Sequence, residues 1–89
     1  RLHVLIHGKV IMVGFMYFIR NKALLLGLNG WIRNVDDKVE AVFEGPQEKL
    51  DKILEYCEDG PITSEVEKVD VKYEKPENIK GFDIKGEII

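Results

Sequence analysis

At 89 residues, 45% of them apolar and 33% charged, the chain has the size of one domain with enough carbon to fill a core. A net charge of −3 leaves no excess of Lys and Arg for the basic face that a nucleic-acid binder carries. Residues 10–19 are apolar apart from Gly14, but Arg20, Asn21 and Lys22 end that run well short of the roughly 18 residues of a membrane span. Neither a nucleic-acid nor a membrane partner is expected.

In chain order, Leu2, Val4 and Ile6 alternate with His3, Leu5 and His7, the pattern of a strand with one buried face. The Gly8–Met16 stretch then connects strand to helix, and such a connection aims N–H groups and a helix N-terminus at one point, a seat for an anion. From Phe15 the apolar period becomes helical through Phe18, Ile19, Ala23 and Leu26, with Gly27 as the stop. Residues 29–35 and 38–44 read as two strands around an Asp36-Asp37 turn, with Val39, Ala41 and Phe43 on one face.

Gly45-Pro46 opens a second helix with Leu50, Ile53, Leu54 and Cys57 at i, i+3, i+4 and i+7, ending at Gly60-Pro61. Val66, Val69, Val71 and Tyr73 mark another strand, and the change of parity between Val66 and Val69 predicts a bulge. A last short strand is expected over Phe82–Ile84. The order βαββαβ, with the short strand at its end, is the split βαβ of the ferredoxin-like α+β sandwich: an antiparallel sheet with two helices on one face.

Over residues 2–85 the chain resembles the acylphosphatase family. The likeness rests on Gly8-x-Val10, Val13-Gly14-Phe15-x-Tyr17-Phe18, Leu26-Gly27-Leu28-x-Gly30-Trp31-Ile32-Arg33-Asn34 and Val39-Glu40-Ala41. Glu44-Gly45, Gly60-Pro61, Val66-x-x-Val69-x-Val71 and Gly81-Phe82-x-Ile84 follow in the same order. The resemblance implies one domain over 1–89 and hydrolysis of carboxyl-phosphate anhydrides without metal or cofactor. It also implies a cradle of backbone N–H groups over Val10, Ile11, Met12, Val13, Gly14 and Phe15, holding phosphate or a small acyl phosphate. Asn34 falls on the family's water-positioning Asn.

The departures cluster in that cradle. The family's phosphate-binding Arg falls on Met16, and its usual Gln and Gly fall on Ile11 and Met12. The hairpin after Asn34 is also one residue shorter and lacks the family's Gly. A phosphate-facing Arg supplies charge-assisted, often bidentate hydrogen bonds, so its loss is expected to abolish or greatly lower the activity. Arg20, one turn further along the helix, or Lys9 in the loop, offers relocated cationic help, which keeps an active enzyme as the alternative.

A third reading is an interaction module. Tyr17, Leu24 and Leu28 are expected to form an outward apolar strip for a protein partner or a second copy. Elsewhere, Arg33 is expected to pair with a carboxylate, His3 and His7 to be too far apart to share a metal, and Cys57 to be a buried hydrophobe. The single Cys57 cannot form an internal disulfide and fits a reducing, cytoplasmic setting.

Overall fold

In the computed structural model, which describes residues 1–86, strands β1 (Leu2–Lys9), β2 (Asn29–Val35), β3 (Lys38–Glu44), β4 (Glu65–Tyr73) and β5 (Phe82–Lys85) join in one sheet. Helices α1 (Phe15–Leu25) and α2 (Gln47–Asp59) complete the βαββαβ order with its added strand. The strand order β4-β1-β3-β2-β5 places β1 and β3 in the middle, as the ferredoxin-like topology requires. Pairings among the first four strands are antiparallel, whereas β5 joins β2 in parallel. The sheet is therefore mixed rather than antiparallel throughout.

Alternation decides which face is covered. Leu2, Val4 and Ile6 of β1 and Val39, Ala41 and Phe43 of β3 are almost wholly buried. They share one core with Phe15, Ile19 and Ala23 of α1 and Leu50, Ile53 and Cys57 of α2. Ile32 and the stacked pair Phe43–Phe82 extend that core toward β5. The expected bulge is present: β1 and β4 shift register between His7 and Gly8, leaving Glu67 without a partner between Val66 and Lys68.

Leu28 corrects the expected apolar strip, because it is 2% exposed. The helix has already ended: Leu28 N–H donates to Ala23 O and Gly27 N–H to Leu24 O, with Gly27 at φ 70. That pairing turns the chain back over the core, where Leu28 packs against Gly45 so closely that a Cβ there would lie 2.5 Å from its Cδ2. Tyr17 and Leu24 do remain exposed, joined by Leu25.

The open face of the sheet carries charge. His3 lies between two carboxylates, with Nε2 2.6 Å from Glu40 and Nδ1 2.9 Å from Glu74. Arg33 donates to the other oxygen of Glu40 at 2.7 Å, the ion pair expected of it. Burial alone would lower the pKa of His3, but its bonds to Glu74 and Glu40 outweigh that and hold it above the ordinary value. Glu44, buried at the end of β3, accepts from the N–H groups of Glu77 and Ile79 and from Arg1. Those bonds overcome its burial, keep it ionised, and fasten the β4–β5 connection to the sheet.

Candidate functional site

The site begins where β1 runs out. Gly8 has φ 133, and a Cβ there would stand 2.0 Å from the carbonyl oxygen of Glu65. Only Gly allows β1 to pass β4 this closely. Val10 then drops into the core at 1% exposure and anchors the loop from below. Met12 adopts φ 60 with its side chain 96% exposed, and Gly14 adopts φ 77 as the N-cap of α1.

Among the described residues, no side chain caps that helix. Gly14 has no side chain to offer, and the first turn holds no acidic residue. The first intrahelical bond runs from Phe18 N–H to Gly14 O at 3.0 Å. The N–H groups of Phe15, Met16 and Tyr17 precede it, so they have no helical acceptor. These donors carry the positive end of the α1 dipole, equivalent to about half an elementary charge. The Thr63 hydroxyl, in the turn after α2, donates to Val13 O at 2.8 Å and pins the loop from the other side.

A cleft of about 360 Å³ lies at this helix end, lined by Val10, Met12, Gly14, Phe15, Met16, Tyr17 and Asn34. Asn34 comes from β2, opposite Val39 of β3, and the sheet thus delivers it to the same cleft as the loop. Its Oδ1 is buried and, among the described residues, without a hydrogen-bond partner. A buried acceptor left open in this way is costly unless something donates to it.

The structure therefore brings together six of the expected site residues: Val10, Met12, Gly14, Phe15, Met16 and Asn34. Ile11 and Val13 contribute backbone to the loop, but their side chains pack against the core instead of lining the cleft. Lys9 and Arg20 are not among the lining residues, and among the described residues no cationic side chain is. Tyr17 is exposed, as expected of an outward position, and it also lines the cleft, which the sequence pattern did not indicate. Its position in the first turn, directly after Met16, is the available signal.

Cys57 lies outside the site. Burial, reinforced by the charge of Glu58, pushes its thiol pKa up, so it stays protonated within the core of α2.

The chain has relatives among known proteins. The sequence model of the acylphosphatase family matches residues 2–84. The acylphosphatase of Trichormus variabilis is 44% identical over 86 residues, which cover 96% of this chain and 85% of that protein. The acylphosphatase of Thermococcus kodakarensis is 40% identical over 87 residues, covering 97% and 96%. The crystal structure of acylphosphatase from Bacillus subtilis superimposes with a TM-score of 0.91 at 32% identity, covering 96% of this chain and 97% of that one. With near full-length agreement in sequence and in fold, the chain belongs to the acylphosphatase family.

Proposed function

We propose that this chain keeps the acyl-phosphate cradle of its family in outline but has lost most or all of the hydrolysis of carboxyl-phosphate anhydrides. The observation that carries the reading is the lining of the cleft, where Met16 stands at the Arg position and no cationic side chain takes its place. In the intact reaction, loop N–H groups and a guanidinium hold the phosphoryl oxygens as negative charge spreads over them. An Asn meanwhile aims water in line with the carboxylate leaving group. Asn34 retains its part of that arrangement.

The missing part is the expensive one. Removing a cation that stabilises the transferring phosphoryl group costs on the order of 10³-fold in rate or more, about 4 kcal/mol of barrier. The half-charge of the α1 N-terminus does not replace it. Arg20 and Lys9 lie outside the lining, which weighs against relocated cationic help. Phosphate or a small acyl phosphate remains a weak ligand of the cradle in this reading, in a reducing, cytoplasmic setting that suits the lone thiol.

The test is turnover of acetyl phosphate and benzoyl phosphate by the purified chain. Wild type is expected to stay near the uncatalysed rate. Met16→Arg is expected to recover activity in part, and Met12→Gly/Met16→Arg further. Robust wild-type turnover, lost in Arg20→Ala or Lys9→Ala, would instead establish the active enzyme.

A further inference from the structure

The same cleft is richer in carbon than in charge. Among the described residues, Asn34 and the Tyr17 hydroxyl supply the polar side-chain groups of its lining, beside Val10, Met12, Phe15 and Met16. Two of these carry unused apolar surface at its mouth, Met12 at 96% exposure and Tyr17 at 61%. Met12 holds this place at φ 60, where Gly would sit without strain. A large thioether is thus kept at the rim in a conformation that disfavours it, and strain of this kind concentrates at ligand sites.

The head of the site suits one negative charge better than two. Three N–H groups at the α1 N-terminus, without an acceptor among the described residues, suit a carboxylate or an acyl carbonyl as well as a phosphate, and the cation that would favour the phosphate dianion is absent from the lining. Around that head, thioether and phenol offer what an aromatic ring packs against: polarisable sulfur contacts and a ring face. A volume of about 360 Å³ is within the small-molecule range.

We infer that the cleft anchors its ligand by an aromatic acyl group rather than by phosphate, with Met12 and Tyr17 as the specificity-determining residues. The inference rests on the proposed loss of the phosphate anchor at Met16. It reverses the expected order of affinity: an aromatic carboxylate binds more tightly than inorganic phosphate.

Amide-shift titrations of the full chain with benzoate, acetate and inorganic phosphate test this at equilibrium. Benzoate is expected to bind at least about 10-fold more tightly than acetate, because the ring is taken out of water, and more tightly than phosphate. The shifts should centre on residues 12–17. Met12→Asn, which keeps a residue tolerant of positive φ, and Tyr17→Ser are each expected to weaken benzoate by about 3-fold or more, and Tyr17→Ser to leave phosphate unchanged. Leu25→Ser, far along the helix, should change neither.

Phosphate binding as tightly as benzoate overturns the inference. So does equal binding of benzoate and acetate, the absence of a saturable benzoate shift, or insensitivity to both rim variants. Because the readout is affinity, wild-type turnover would defeat the proposed function while leaving these ratios to be judged separately.

Discussion

The hydroxyl of Thr63 donates to the carbonyl oxygen of Val13 at 2.8 Å, tying the turn after α2 to the loop that precedes α1. The two residues are 50 apart in sequence, and the bond is exposed. Thr63→Val should therefore cost only about 0.5–1 kcal/mol of global stability. Its effect belongs to the loop, where hydrogen exchange at residues 11–14 should accelerate well beyond the rest of the chain. Uniform exchange in variant and wild type would show that Val10 alone holds the loop.

Met12 at φ 60 leads to a second expectation. The left-handed region costs an L-residue roughly 1–2 kcal/mol, and a side chain 96% exposed returns little packing for it. Replacement by Gly removes the strain but gives the unfolded chain more freedom, which offsets part of the gain. Met12→Gly should stabilise the fold by up to about 1 kcal/mol, raising Tm by several degrees in a domain of this size. An unchanged or lowered urea midpoint would mean that Met12 makes contacts worth as much as the strain.

Much of the fold was legible because local signals agreed with one another. Strands 29–35 and 38–44 coincide with β2 and β3, since the alternation of Val39, Ala41 and Phe43 and the Asp36-Asp37 turn both fix the register. The bulge at Glu67 was visible as a parity change, because each residue added to a strand moves its side chains to the other face. Leu28 was misread by carrying the helical wheel past Leu25, where the Gly27 turn cancels the period. The parallel direction of β5 was not legible at all. Four residues reached through a long connection carry no turn that states which way they run. In the site, the loop and Asn34 could be read from motif order, but the place of Tyr17 depends on how α1 meets β2.

His3 gives the sheet a dependence on pH. Its burial lowers the pKa, but the bonds to Glu74 and Glu40 outweigh that and raise it above 6.5. A proton held more tightly by the folded chain stabilises it fully below the unfolded pKa and is lost as pH rises through the folded value. Glu40 and Glu74 act in the opposite sense. Burial works against the charge of Glu40, and its bonds to His3 and Arg33 prevail; the bond to His3 dominates for Glu74. Both carboxylates are held below their ordinary range, so their contribution is present above it and is lost as pH falls through the folded values. Stability should thus peak on the mildly acidic side of neutrality and decline as pH rises from the ordinary histidine value through the raised value of folded His3. Denaturant unfolding of wild type and His3→Gln across that interval checks this, the variant being expected to show a much flatter alkaline limb. Parallel curves would place the titration elsewhere.

Gly8 and Gly27 separate two reasons for needing glycine. Both have positive φ, 133 and 70, but their surroundings differ. A Cβ on Gly27 would meet nothing within 4 Å, whereas one on Gly8 would stand 2.0 Å from Glu65 O and 2.8 Å from Glu67 N. Those atoms belong to the β4 backbone at the bulge, which cannot swing aside as the end of a side chain can. Gly27→Ala should cost about 1 kcal/mol, the conformational penalty alone. Gly8→Ala should cost about 2–4 kcal/mol, because β1 must part from β4 or the bulge must move. The larger effect should also reach the site: Val10 and the loop up to Gly14 follow directly from Gly8, so amide shifts over residues 10–17 should change in Gly8→Ala and stay put in Gly27→Ala. Equal losses of stability in the two variants would mean that β4 yields freely at Glu67, and that the bulge does not hold the entrance of the cradle in place.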